Sequence, residues 1–340
     1  MAKILITGAG GYIGTTLVDA ALEAGHEVVA LDRFFFGENL MRDFLDRKKF
    51  SVRKIDIRDV KPSDLEGVDV VMDLAALSND PAGSLNPDLT TSINFKGRVH
   101  VAEAAKAAGV SRYILASSCS VYGYGESTDL TEKSSTNPLT EYATSTFHAE
   151  QSAMEMGDDT FCVSATRNAT VFGLSRRMRF DLVVNQMTRD AVQKGRLTVM
   201  GGGEQWRPLV HVRDVARAFL NIAGQPTDMV NRQVFNVGRD NYQIRQLAFT
   251  VRENLPFPVT IETLPDNNDR RNYNASFDKA RTVLGFEAKY DVAFAVNEIY
   301  QAIKKGDVDL GSRTVTVDWY RHLLDAQQLV SQVELNGRIL

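Results

Sequence analysis

Gly8, Gly11 and Gly14 stand in GxxGxxG spacing between an apolar run, Lys3 to Thr7, and a stretch from Tyr12 to Ala24 whose apolar residues recur at helical spacing. Glycines in a strand-to-helix turn let a phosphate approach the backbone, and the free amides and dipole of the helix N-terminus attract its charge. Gly25 stops the helix, and the next apolar run, HEVVALD, closes on Asp32. A carboxylate at that place accepts hydrogen bonds from both ribose hydroxyls of an adenosine and repels a 2′-phosphate, which predicts NAD rather than NADP as cofactor. Arg33 next door tempers the preference, because a guanidinium can meet a phosphate.

Short β-branched runs and helical stretches then alternate. A helical stretch near Glu38 to Lys48 is followed by a strand around Phe50 to Ile55 and the apolar run VDVVMDLAAL. A long alanine-rich helix is expected from Thr90 to Ala108, then the strand SRYILASS, a polar loop through Asn137, a helix from Tyr142 to Met156 and the strand FCVSATR. This order predicts an α/β fold, a Rossmann-type doubly wound parallel sheet with a smaller C-terminal substrate-binding lobe. The expected division is a dinucleotide domain over 1–173, with some later segments returning to it, a lobe mainly over 174–320, and a C-terminal extension over 321–340.

Composition narrows the partners. The 340 residues are 44% hydrophobic and 24% charged, ordinary for a globular protein, and a net charge of −4 advertises neither nucleic acid nor an acidic membrane. Two cysteines, Cys119 and Cys162, supply no disulfide framework or CxxC knuckle, and no His/Cys/Asp cluster has metal-ligand spacing, so no metal is expected. Asp214 and His211 read as a strand-to-helix cap and its neighbour. With no charged leader and no apolar run of membrane-spanning length, a cytoplasmic protein without a membrane span is expected.

With these residues in place, the chain resembles the extended short-chain dehydrogenase/reductase family, the NAD-dependent nucleotide-sugar epimerases and dehydratases. TGAGGYIG, Asp32, DIRD, SSCSVYG, EYATSTFHAE, RNATVFG, GEQWRPLVHVRDVARAF and RRNYNASFDKARTVLGF follow one another in the family's order. The resemblance implies that Tyr12 and Ile13 join the glycines at the cofactor, and that Asp56 and Ile57 contact the adenine. Leu74, Ala75, Ala76, Asn94 and Ser117 are implied along the rest of the dinucleotide. Tyr142 is implied as the base that removes a sugar hydroxyl proton beside the nicotinamide, with Ser118 as its hydrogen-bonding partner. A phenol of pKa about 10 needs help to ionise at neutral pH, and the family's lysine one helical turn on supplies it. Here that position is Thr146, which shares a hydrogen bond but brings no charge, and His148 sits at a spacing that turns it away from Tyr142.

The same resemblance implies a nucleoside-diphosphate sugar as substrate. In the family's 4,6-dehydratases an acidic pair follows the serine; here Cys119 and Ser120 stand there, which argues against that reaction. Cys119 reads either as an acid or base in an unusual elimination or as a buried inert thiol. Asn168 and Thr170 stand at the R-x-x-N segment, and Arg207 with Arg270 or Arg271 are the implied phosphate clamps. Arg177, in the run SRRMRF, either binds phosphate or belongs to a solvated basic loop, while Trp206 and Tyr273 either stack on the ligand or pack in the lobe. The expected activity is epimerisation through a keto-sugar. The alternatives are a keto-reductase or non-standard dehydratase at the same site, and a non-catalytic NAD or nucleotide sensor. The resemblance also implies a homodimer through the two helices flanking SSCSVYG, which the apolar faces over Val99 to Ala108 and Phe147 to Met154 permit.

Overall fold

β1 (Lys3–Thr7) carries Ile4, Leu5 and Ile6, all fully buried; Ile4 and Ile6 enter one core layer and Leu5 the other. A strand buried on both faces needs helices on both sides, and that is what the chain builds around it. The computed structural model describes residues 1–123, 129–265 and 272–339.

β2 (Glu27–Asp32), β3 (Phe50–Lys54), β4 (Val70–Asp73), β5 (Arg112–Ser118) and β6 (Cys162–Asn168) join β1 in one parallel sheet. β7 (Thr170–Phe172), β8 (Arg196–Met200) and β9 (Trp206–His211) then leave it for the second lobe. β10 (Gln233–Val237) returns as the seventh strand, in the order β10-β6-β5-β4-β1-β2-β3. The direction of winding reverses between β1 and β4, which opens a crevice at the carboxyl ends of those strands. Helices Tyr12–Glu23 and Val212–Gly224 cover one face; Arg98–Ala107 and Glu141–Met156 cover the other.

In the lobe, β9 pairs with β7 and with β11 (Asp240–Gln243), and β8 pairs with β12 (Thr260–Leu264). Helices Val183–Lys194, Ile244–Glu253 and Val292–Lys305 close over them, burying Phe172, Val184, Leu197, Leu247 and Val296 together. A last helix, Thr316–Val333, turns back to the first domain: Trp319 Nε1 donates to the Phe35 carbonyl at 2.7 Å, and the Tyr320 ring meets those of Phe35 and Phe36.

Two expected helices differ. The stretch from Glu38 is a 3₁₀ helix that ends at Phe44. The alanine-rich segment is a short turn, Pro87–Thr90, a π-helical segment, Thr91–Gly97, and an α-helix, Arg98–Ala107. Wide turns of this kind mark places where a side chain is drawn out of regular register. Asn94 sits in the middle of this one, its Oδ1 accepting the Leu77 amide at 2.8 Å and its Nδ2 donating to the Leu77 carbonyl at 3.1 Å. Among the described residues no helix is long and apolar enough to cross a membrane, and no group of His, Cys, Asp and Glu could hold a metal ion.

Candidate active site

The turn after β1 is tight because Gly8 and Gly14 leave no room for a side chain. Gly8 has φ +66°, and a side chain there would press on the Ala75 amide at 2.8 Å. A Cβ at Gly14 would overlap the Gly8 carbonyl oxygen. The turn therefore lies flat against the loop after β4, and the N-terminal amides of the helix Tyr12–Glu23 stay open to the crevice.

One continuous pocket runs from this turn along the carboxyl edge of the sheet. Gly8, Gly11, Tyr12, Ile13, Gly14, Asp32, Arg33, Asp56 and Ile57 line one end, and Leu74, Ala75 and Ala76 its middle. Ser117, Ser118, Ser120, Tyr142, Thr146, Asn168 and Thr170 line the remainder. Asp32 accepts the Gly10 amide at 2.9 Å and the Phe34 amide at 2.5 Å, and burial pushes its carboxyl up from the ordinary range against those amides. Arg33 stacks on Phe35 and bonds Asp56 at 3.0 Å. Asp56 is gripped mainly by Arg58, which lowers its pKa to about 2. The Tyr12 hydroxyl is turned away from the pocket's polar work: it donates to the Gly173 carbonyl at 2.6 Å and accepts from Asn185 at 3.1 Å.

Tyr142 is the second residue of its helix. Thr140 caps that helix, its Oγ1 accepting the Ala143 amide at 3.2 Å and donating to Asp80 Oδ1 at 2.5 Å; losing such a cap costs about 1 kcal/mol. The phenol lines the pocket with Ser118, whose Oγ accepts the Ser120 amide at 3.1 Å and whose hydroxyl favours the ionised phenol. Burial raises the phenol's pKa and the Asp80 carboxylate pushes it further; Ser118, Arg98 and Arg179 oppose them. Around it, Ser117 Oγ, Ser120 Oγ, Thr146 Oγ1 and Asn168 Oδ1 are buried with no hydrogen-bond partner among the described residues. Orphaned polar atoms are rare in a protein interior, and four on one pocket wall mark a site built for a polar ligand.

Several expected site residues stand elsewhere. Asn94 spends its amide on the Leu77 backbone, which shapes the loop after β4, and it stands behind the pocket wall. Cys119 points behind the wall, where its Sγ donates to the Arg167 carbonyl at 3.2 Å and burial drives its pKa up, as in a buried thiol. Arg207 lies in β9, pairs across to Tyr242 and bonds the Trp206 carbonyl at 2.7 Å, away from the pocket. Arg270 and Arg271 lie outside the described residues. His211, not Asp214, caps the helix Val212–Gly224, and Asp214 holds the amides of Lys289 and Tyr290.

The run SRRMRF divides. Arg176 pairs with Asp43 on the surface, whereas Arg177 and Arg179 are buried in the pocket wall. Arg177 lies over the Phe36 ring at 3.6 Å and bonds Thr316 at 2.9 Å, and its Nε has no partner among the described residues. Arg179 forks onto Asp181 at 3.1 and 2.8 Å and donates to Ser78. Arg98, Phe35, Phe36, Asn79, Asp80, Thr316 and Tyr320 also line the pocket and were missed by motif reading. The arginine run was the one signal for Arg179; Tyr320 arrives from the far end of the chain.

A family model described as "NAD dependent epimerase/dehydratase family" matches residues 4–238. The UDP-glucose 4-epimerase of Mycolicibacterium smegmatis is 32% identical over 305 residues, covering 86% of this chain and 95% of that protein. The UDP-glucuronic acid decarboxylase 1 of Xenopus tropicalis is 28% identical, covering 89% of this chain and 72% of that protein. A solved structure of MoeE5 in complex with UDP-glucose and NAD superposes with a TM-score of 0.78 at 26% identity, over 90% of this chain and 100% of that one.

Proposed function

The chain belongs to the NAD-dependent epimerase/dehydratase family, and from that premise we propose that it epimerises a nucleoside-diphosphate sugar by oxidising one sugar carbinol to a ketone and reducing it again on the other face. The residues present fit the family's cofactor, since the glycine turn leaves no room for side chains where a pyrophosphate must lie and Asp32 stands at the end of β2. Gly8, Gly11 and the first amides of the helix Tyr12–Glu23 would hold the pyrophosphate; Asp32 would hold the adenosine ribose. Bound NAD supplies the acceptor that makes a carbinol oxidisable and the donor that reduces the ketone again.

The chain's own part is binding and proton transfer. Ionised, Tyr142 takes the proton of the sugar hydroxyl at its phenolic oxygen and gives it back when the alcohol is re-formed; Ser118 keeps the hydroxyl aligned. The observation that carries the reading is that this tyrosine and serine open into the same pocket as the glycine cradle. Epimerisation is favoured over dehydration because water loss needs an acid at the leaving hydroxyl. Of the two residues after Ser118, Cys119 is turned away and Ser120 offers only a hydroxyl. The reading extends to a cytoplasmic homodimer: both cysteines are free buried thiols, and Val99, Phe147 and Met154 on the paired helices are only partly buried within one chain.

Incubation with a panel of uridine- and thymidine-diphosphate sugars in deuterated water tests the reaction. Proton NMR is expected to show an epimer of unchanged mass with no solvent deuterium on carbon. A product lighter by water or carbon dioxide, or no turnover of any sugar nucleotide, overturns it. The cofactor preference has its own test: Asp32→Asn removes the charge that repels a 2′-phosphate and is expected to narrow the NAD over NADP preference about tenfold, roughly 1.4 kcal/mol. An unchanged ratio of dissociation constants in titration calorimetry would take Asp32 out of cofactor selection.

A further inference from the structure

We propose that Arg98, reaching in from the neighbouring helix, is the positioning residue whose positive charge steadies the ionised phenolic oxygen of Tyr142, the task that Thr146 leaves undone. The inference rests on Tyr142 being the base of the proposed reaction.

A buried phenol is a poor base. Its ionised form loses hydration, and here the Asp80 carboxylate, bonded to the Thr140 cap of the same helix, adds repulsion. Its own helix offers no remedy, because EYATSTFHAEQSAMEM contains neither lysine nor arginine. Thr146, one turn on, is a buried hydroxyl without a partner, and the exposed ring of His148 rests against Phe95 on the outer side. A cation must come from another element.

Four arginines line the pocket. Arg33 is held at the far end by Asp56, and Arg177 by Phe36 and Thr316, beside Asp32. Arg98 and Arg179 are the two whose charge is felt at Tyr142. They are paired differently. Arg179 faces both oxygens of Asp181, so its charge is cancelled where it sits. Arg98 makes one carboxylate bond, Nε to Asp73 Oδ2 at 2.7 Å. Its Nη2 donates to the main-chain carbonyls of Asp73 at 3.0 Å and Ala116 at 2.8 Å. Asp73 also takes the hydroxyls of Thr7 and Tyr113, which spreads its negative charge over further donors. Among the described residues Arg98 hydrogen-bonds through Nε and Nη2 alone, which leaves Nη1 to the pocket side.

The local fold explains how a helix residue comes to lie there. Asn94 and Arg98 are four residues apart and therefore share a face. The π-helical segment Thr91–Gly97 keeps Asn94 anchored to the Leu77 backbone, so the same face of the next turn carries Arg98 beneath β4 and β5. Ala116, whose carbonyl the guanidinium grips, lies two residues before Ser118 on β5, and Ala116, Ser118 and Tyr142 all line the pocket. Arg98 thus enters the pocket from beneath β4 and β5 while Thr146 stands on the tyrosine's own helix, and both line the pocket that Tyr142 lines.

The test titrates Tyr142 in the NAD-loaded protein by carbon-13 NMR of ring-labelled tyrosine, assigned by its disappearance in Tyr142→Phe. The groups facing it are Ser118, Asp80, Arg98 and Arg179, with Asp73 and Asp181 behind the arginines. Arg98→Met leaves Asp73 unpaired in the core and is a folding hazard, so the double variant Arg98→Met/Asp73→Asn is made beside it. In whichever folds, the midpoint is expected to rise by about one unit or more, a tenfold loss of ionised phenol at neutral pH. Arg98→Lys is expected to hold it within a few tenths of a unit, and Thr146→Lys in the double variant to bring it back. The pH limb of kcat should move with the NMR midpoint. A midpoint unmoved by loss of Arg98, or moved as far by Arg179→Met, overturns the assignment. Absence of any sugar-nucleotide turnover in the unmodified protein would instead sink the proposed function, while the NMR titration would still judge Arg98.

Discussion

Replacing Gly14 with alanine abolishes NAD retention: the expected loss of affinity is a hundredfold or more in titration calorimetry, with a lowered melting temperature. The expectation is sharp because intrinsic propensity runs the other way. Gly14 lies inside the helix Tyr12–Glu23 with no positive φ, so alanine there would ordinarily stabilise the helix by about 1 kcal/mol. The added carbon has nowhere to go. It would overlap the Gly8 carbonyl oxygen and lie 2.8 Å from Ala9 Cα, both backbone atoms that cannot rotate aside. Relief requires the turn to open, which swings the helix amides off the pyrophosphate and separates Gly8 from the Ala75 amide. Gly224, near the end of another helix on the same face of the sheet, meets nothing within 4 Å, so Gly224→Ala is expected to bind NAD normally and serves as the control. An alanine at position 14 that binds NAD as tightly as the unmodified protein would show that the cradle lies elsewhere.

That local turn was readable in the residues because every constraint on it is short-range: strand, glycines, helix and acid lie within 32 residues of the start. Tyr142 and Ser118 were legible through their motifs, and they meet because β5 and the helix Glu141–Met156 pack side by side. What could not be read depends on where distant segments cross. Asn94 and Cys119 stand in motifs that suggest contact with ligand, yet one is spent on the Leu77 backbone and the other faces the Arg167 carbonyl. In SRRMRF, Arg176 falls outside and Arg177 and Arg179 inside because Ser175 is tied to the Tyr12 carbonyl and Met178 is buried against Phe180. Nothing in the sequence around Arg98 distinguishes it from an exposed helix arginine. Its inward course follows from a widened turn and from partners on β4 and β5, which local spacing does not encode.

Tyr142→Phe removes one oxygen and is expected to lower kcat by about 10²- to 10⁴-fold, the usual contribution of a positioned base, while NAD affinity stays within a few-fold. No neighbour can take over. Ser118 is an aliphatic hydroxyl far too weakly acidic to hold the negative charge. Arg98 and Arg179 do not release protons at working pH. Asp80 is already engaged by the Thr140 hydroxyl that caps the helix. The pH profile adds a check of sign. Burial raises the phenol's pKa, so in the unmodified enzyme the rate of the oxidising step should climb as pH rises and the phenol ionises, and this limb should vanish with the oxygen. The ring itself remains to fill the wall beside Gly83, whose added Cβ would sit 3.0 Å from Tyr142 Cβ, so the pocket keeps its shape. Full turnover in the phenylalanine variant would leave the cofactor cradle standing and transfer the proton chemistry to a group not yet identified. Lost turnover together with lost NAD binding would make Tyr142 a structural support of the cradle.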